Sequence, residues 1–280
     1  MKVSSNITAM MTVANMNKAN NSASKVMERL SSGLKINSAK DNPAGVAIAH
    51  KLSTQAKGLS QANDNVMNGI SMIQTAEGAM NEVHSILNRM KELTVQGLNE
   101  TLNESDRANI QLEIEQLKEE IDNIKKNTQF NKSNMLDMES DIIIQTGANA
   151  SQSLKIEGTD INLGETIKII EGLKLEDEIK KTGSNNSSDK DMITKIDEAI
   201  QMVSVIRSRL GAYQNRLEHA AANLGVHEEN TIASLSRIED ADMAEEMTNY
   251  AQYNVISQAG IAMLAQANQR PQRVLQLLNS

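Results

Sequence analysis

Apolar residues along most of this chain recur at helical spacing. One register is long: Leu59, Val66, Ile73, Met80 and Leu87 repeat every seven residues, and Ala62, Gly69, Ala76, Val83 and Met90 follow each by three. A seven-residue repeat split three and four keeps one stripe facing a neighbouring helix, which is a coiled-coil seam. From Leu52 to Met90 it predicts a helix roughly 58 Å long at 1.5 Å rise per residue. A matching seam follows later, with Ile196, Val203, Leu210, Leu217 and Leu224 every seven residues and Ala199, Ile206, Tyr213 and Ala220 between them. Between the two, Ile110, Ile114, Leu117, Ile121 and Ile124 form the stripe of a shorter helix. Turn-like residues at 98–104 precede it, Ser105-Asp106 offers N-cap chemistry, and so short a connection folds this helix back antiparallel on the first.

The pattern changes elsewhere. After Asn127 the periodicity becomes strand-like, and 141–145 and 153–157 flank a turn region and predict a hairpin. Residues 180–190 are polar and rich in Ser, Asn and Gly, which reads as a loop, with Ser184, Ser187 and Ser188 as candidate sites for O-linked sugar. At the start of the chain, Val3, Ile7, Met10 and Ala14, then Ala19, Val26 and Leu30, predict an amphipathic helix. Its polar positions are crowded with Asn and Ser, so it is expected to be disordered until a partner covers it. Gly33 and the Asp41-Asn-Pro-Ala-Gly45 run interrupt that helix, predicting an extended connector and a domain boundary. The stripe is lost around 237–242, and a last amphipathic stretch runs from Met243 towards Leu278, interrupted at Pro271. The fold class is mainly α: a long antiparallel coiled-coil-like bundle with a small β-hairpin region and a weakly self-sufficient helix at each end.

Composition narrows the function. Aromatics are 1% of 280 residues (3 Tyr, 1 Phe, no Trp), so Leu, Ile, Val, Met and Ala must fill the interior, which suits narrow seams better than a deep ligand pocket. The net charge of −8, from 28 Lys and Arg against 36 Asp and Glu, argues against wrapping nucleic acid and for a protein partner. No cysteine is present, which excludes disulfides, thiolate metal sites and Cys nucleophiles. No run approaches a membrane span, and the first thirty residues lack the apolar core of a secretory signal, so secretion would need another route. None of His50, His84, His219 and His227 has metal-ligand spacing; the residue four after His227 is Thr231 rather than a second histidine. Glu113, Glu115, Glu119 and Glu120 lie in a Lys- and Glu-rich helix and read as a solvated face. No catalytic site, metal or cofactor is expected. Met80 and Met90 fill gaps in a seam, whereas Met10, Met11 and Met16 give the first helix soft side chains that tolerate variable packing.

Two long strings then identify a family. Ser31-Ser-Gly-Leu-Lys-Ile-Asn-Ser-Ala-Lys-Asp-Asn-Pro-Ala-Gly45 resembles the N-terminal region of bacterial flagellins, and the run from Gln258 to Leu278 resembles their C-terminus. Thr128-Gln-Phe-Asn131 and Gln145-Thr-Gly-Ala-Asn149 are similar to further flagellin elements, so the likeness covers nearly the whole chain. Larger flagellins insert outer domains where this chain has only about 157–191. The resemblance implies that the terminal helices pair as the inner filament domain, D0 (residues 1–42 and 237–280). The central helices and the hairpin region, at about 140–180, would form D1 (43–236). It further implies a homopolymer in the extracellular filament, unfolded export through the flagellar type III apparatus with an export chaperone, and assembly at a cap beside hook-associated proteins. The segment Leu87 to Gln96 is similar to the flagellin region that binds Toll-like receptor 5, with Arg89, Glu92 and Leu93 on the receptor face and Glu113 on the adjoining helix. Ile7, Met11, Val274, Leu275 and Leu278 belong to the apolar faces expected to be buried between subunits. The rival readings are a hook–filament junction protein of the same organelle and a flagellin carrying a metallopeptidase, for which 157–191 is too short and has no histidine.

Overall fold

In the computed structural model of the chain the described residues are 6–99, 101–138, 140–171 and 188–278, with the side chains at 171, 188–191 and 270–278 outside the description. The elements, in order, are α1 (Ile7–Ser32), α2 (Pro43–Gly97), α3 (Glu104–Asn127), β1 (Gln129–Phe130), β2 (Ser133–Asn134), β3 (Ile142–Gln145), β4 (Ser153–Ile156), a single 3-10 turn (Gly158–Asp160), α4 (Gly164–Glu171), α5 (Ser188–Glu239) and α6 (Met243–Leu278). They divide into two compact units: residues 57–228, and residues 1–56 with 229–280.

The first of these units is built on the seams read from the sequence. Val66, Met80, Leu87, Val203, Leu210 and Leu217 have no exposed surface, and one continuous core joins them to Ile114 and Ile121 of α3. Lys91 Nζ bonds Asp197 Oδ1 at 2.5 Å, and Gly69 lies beside Leu217, so α5 runs antiparallel to α2. The α3 N-cap is Asn103, whose Oδ1 accepts from Asp106 N at 2.8 Å, rather than the expected Ser105-Asp106. Asp106 is instead in the first turn, where its carboxylate faces the positive end of the helix dipole.

The expected hairpin is β3 paired antiparallel with β4, Ile142 opposite Ile156 and Gln145 opposite Ser153. It seats on α2 because position 69 is glycine: a Cβ there would stand 2.6 Å from Ile144 Cδ1. A second, two-residue hairpin (β1–β2) turns through Asn131 and Lys132, both at positive φ. Asp160 is gripped by α5, accepting from Arg209 Nη1 at 2.7 Å and Tyr213 Oη at 2.8 Å. Helix α4 was not legible as an element, although Leu163, Ile167 and Ile170 stand at helical spacing and are buried. Residues 180–187 of the expected loop, with Ser184 and Ser187, lie outside the described residues, as does the side chain of Ser188; α5 already opens at Ser188.

In the other unit, α1 ends at Gly33, which takes φ 73° and donates its N–H to Arg29 O. The last three residues of the expected connector, 43–45, belong to a helix. Asn42 Oδ1 accepts from Gly45 N at 3.0 Å and caps α2, and Pro43 occupies its first position, where no N–H is needed. Nor does Pro271 interrupt α6, which runs to Leu278.

Leu87→Ala, which empties a fully buried site on the seam, is expected to cost about 2–5 kcal/mol, read from the urea midpoint of the soluble chain. Across β3–β4, Lys155 Nζ bonds Asp141 Oδ2 at 2.8 Å. The Lys155 ammonium holds the Asp141 carboxyl below its ordinary 3.8, and Asp141 in turn raises Lys155 above 10.5. The Asp141 contribution is therefore complete above the ordinary value and lost as pH falls through the lowered one; that of Lys155 is complete below 10.5 and lost as pH rises through its raised value. Amide protection in the hairpin, corrected for intrinsic exchange, should weaken at both extremes, and Asp141→Asn should remove the acid limb.

Candidate functional site

Two surfaces carry the residues singled out from the sequence. The first lies where α3 returns along α2. Arg89 Nη2 bonds Glu113 Oε1 at 2.8 Å, and Arg89 Nη1 reaches Glu92 Oε2 at 3.3 Å. Heptad spacing accounts for this, since Leu87 and Met90 enter the core and turn positions 89 and 92 outward. The three side chains remain 50%, 70% and 45% exposed, so the cluster is a surface feature open to solvent. Glu113, and then Glu92, raise the Arg89 guanidinium above its ordinary pKa, so it stays charged under all working conditions.

Leu93 departs from expectation. It is 2% exposed and belongs to the same core as Ile110 and Ile114 of α3. Helix α2 is packed by more than one neighbour, so its buried stripe is wider than the strict seam and takes in position 93. Two apolar side chains missed from the sequence, Val95 and Leu112, are exposed instead. Leu112 is legible in retrospect, because it stands out of register with the stripe through Ile110 and Ile114.

The second surface belongs to the terminal helices. Along α1 the covered positions are Ala9, Met16, Ala23 and Leu30, with Thr12, Ala19 and Val26 between them; along α6 they are Glu246, Tyr253, Gly260 and Ala267, with Tyr250, Ser257 and Leu264. Each set repeats every seven residues and is filled largely by small or polar side chains. The helices are antiparallel, and polar contacts mark the register from one end to the other. Backbone bridges flank Leu34 and Asp240; Arg29 Nη1 bonds Glu246 Oε1 at 3.0 Å; Ser257 Oγ donates to Asn20 Oδ1 at 2.9 Å; Asn6 Nδ2 donates to Ala267 O at 2.9 Å.

The larger apolar residues expected on one stripe of the first half of α1 lie off this seam. Ile7, Met10 and Ala14 point away from α6, and Ile7, Met10 and Met11 are 64%, 67% and 63% exposed. On α6, Val255, Ile256, Ile261 and Met263 are likewise exposed. Ala9, Thr12 and Met16 take the inward positions because they continue the heptads of Ala19 and Val26. The side chains of Val274, Leu275 and Leu278 lie outside the described residues, as does Val3.

Other chemistry is sparse. His50, His219 and His227 are exposed and His84 is half-buried, and among the described residues no three His, Asp or Glu converge as a metal site. An open groove of about 570 Å³ between α4 and α5 is lined by Glu165, Thr166, Ile169, Glu198, Met202 and Val205 among others. No described helix is long and apolar enough to cross a membrane.

Comparison with known proteins accounts for this arrangement. The bacterial flagellin N-terminal helical region matches residues 3–141, and the bacterial flagellin C-terminal helical region matches residues 193–278. The chain belongs to the bacterial flagellin family. It is 48% identical to a flagellin of Halalkalibacterium halodurans and 42% identical to a flagellin of Bacillus subtilis, in each case over 99% of this chain and 100% of the relative. A solved structure described as a flagellar hook-associated protein from Vibrio parahaemolyticus shares the fold, with a TM-score of 0.60 over 71% of this chain and 100% of that one, at 14% identity. This flagellin is thus a structural filament subunit and not an enzyme. Flagellins polymerise into the extracellular filament of the bacterial flagellum, and this one is a short form without the variable outer domains.

Because the Arg89 cluster is exposed on all three members, Arg89→Ala and Glu113→Gln are expected to leave the urea midpoint of the soluble flagellin where it is. A shift as large as that of Leu87→Ala would show that the cluster holds the fold.

Proposed function

We propose that the subunit contacts of the filament core are made by the apolar faces that α1 and α6 turn away from each other. The observation that carries this is the exposure of Ile7 and Met11 while smaller residues occupy the α1–α6 seam. A chain whose internal contact takes many small or polar residues while Ile7, Met10 and Met11 stay outside has surface to bury against copies of itself. At about 25 cal/mol per Å², a few hundred Å² of apolar surface per contact contributes several kcal/mol before ordering costs, repeated with each neighbour. Val274, Leu275 and Leu278, assigned from the sequence, are proposed for the same contact. In this reading residues 1–42 and 237–280 are D0 and residues 43–236 are D1. Export through the type III apparatus with a chaperone, and assembly under a cap beside hook-associated proteins, are proposed with it, supported by the resemblance to flagellins. The filament subunit is preferred to the hook–filament junction protein because relatives that match along 99% of the chain are flagellins.

The Arg89, Glu92 and Glu113 cluster is the proposed contact for Toll-like receptor 5 on the free subunit. Its support is that the three matched side chains are exposed and held together as one surface. Leu93 lies beneath it and is no part of the contact.

Ile7→Ser with Met11→Ser, and separately removal of the chain from Val274 onward, should leave a soluble, folded 57–228 unit that forms no filaments on seeding, scored by electron microscopy. Normal filaments from either would overturn the assignment. Glu113→Lys should weaken binding of monomer to the receptor ectodomain about tenfold or more, measured by surface plasmon resonance; unchanged affinity would remove the receptor contact.

A further inference from the structure

Pro271 lies inside α6, which continues past it to Leu278. A proline nitrogen carries no hydrogen, so the carbonyl four residues earlier, that of Ala267, loses its helical donor. Ala267 is buried, and a buried carbonyl without a partner is costly. The missing donor comes from the other end of the chain, where Asn6 Nδ2 donates to Ala267 O at 2.9 Å. The oxygen of the same amide is also engaged: Oδ1 accepts from Ala9 N at 3.2 Å, capping α1, and from Thr8 Oγ1 at 2.7 Å. One planar group therefore starts one helix and repairs the other. Serine, threonine and aspartate cap equally well, but ionised aspartate has no donor and the hydroxyls are shorter by an amide.

We infer that Asn6 and Pro271 are a pair of positioning residues that set the register of the terminal helices. Pro271 strips one carbonyl of its donor, and Asn6 reaches that carbonyl in a single alignment of α1 on α6. Packing alone sets this register weakly, because many of the seam's heptad positions carry small or polar side chains that tolerate a slip of one heptad, although Met16 lies against Gly260. Such a slip would leave Ala267 O unpaired and separate Arg29 from Glu246. The polar pins thus specify the alignment that presents Ile7 and Met11 beside the matching face of α6, a role resembling that of a single buried polar residue in a coiled coil. The inference concerns contacts within one subunit, so it stands apart from the assignment of faces between subunits.

The test is a double-mutant cycle in the full-length chain, with Asn6→Ser, Asn6→Asp, Pro271→Ala and the two combinations, read as the critical concentration for seeded polymerisation and as amide exchange in α1 of the soluble chain. Asn6→Ser and Asn6→Asp, which both keep a capping oxygen, should raise the critical concentration roughly tenfold and speed exchange in α1. Pro271→Ala should be neutral. In its background both Asn6 variants should return to within about twofold, since the new N–H at position 271 reaches Ala267 O along the helix. Equal losses in both backgrounds would show that Asn6 acts by another route, and no loss in either would show that the bond is idle; each result overturns the inference. Should a variant not polymerise, exchange in α1 decides in the same way. Ile7→Ser, by contrast, should block polymerisation whichever residue is at 271, which separates a failure of the clasp from a failure of the proposed subunit faces.

Discussion

A seven-residue repeat held in antiparallel register is the constraint on which both units of this flagellin depend. It is used twice with opposite chemistry. Between α2 and α5 the seam is dry and bulky, with Ile73, Met80, Leu87, Val203 and Leu210 closed to solvent. Between α1 and α6 it is thin, with Ala19, Val26, Ala267 and Glu246 its most buried members. The first arrangement buries enough apolar surface to stabilise a domain by itself. The second buries little and relies on hydrogen bonds and one ion pair to choose its alignment, a source of specificity more than of stability.

That contrast connects the composition to the filament. With only 1% aromatic residues, the chain cannot concentrate its apolar surface in a few large side chains. It distributes that surface along helices, and part of what is left over is on the terminal helices. Flexible methionines are a large part of this surplus: Met10, Met11, Met247 and Met263 are all exposed. An unbranched thioether adapts to neighbours at slightly different angles, which suits a contact repeated throughout a helical polymer.

The Arg89 cluster illustrates a different economy. A guanidinium between two exposed carboxylates contributes little to folding, so these positions are free to answer to contacts outside the subunit. Leu93, in the same turn, is fixed by the core. Adjacent residues on one helix therefore answer to different constraints, and the division is made by which neighbour each faces.

The sequence by itself determined the five long helices, the two bulky seam stripes, the β3–β4 hairpin and the family, because heptad spacing, turn residues and two long terminal strings are local signals that survive without a partner. It misplaced whatever depends on which face meets which. Ile7, Met10 and Ala14 mark the greasier face of α1, but which face meets α6 was not legible: Ala9, Thr12 and Met16 face it, in continuity with Ala19 and Val26. Leu93 fell on the receptor face only by its likeness to the family segment, and the core it shares with Ile110 and Ile114 of α3 buries it. Pro271 read as a break, and α6 continues through it with a distant asparagine on the freed carbonyl. Register, burial width and long-range hydrogen bonds join residues up to 261 positions apart, and only the folded chain brings them within reach of one another.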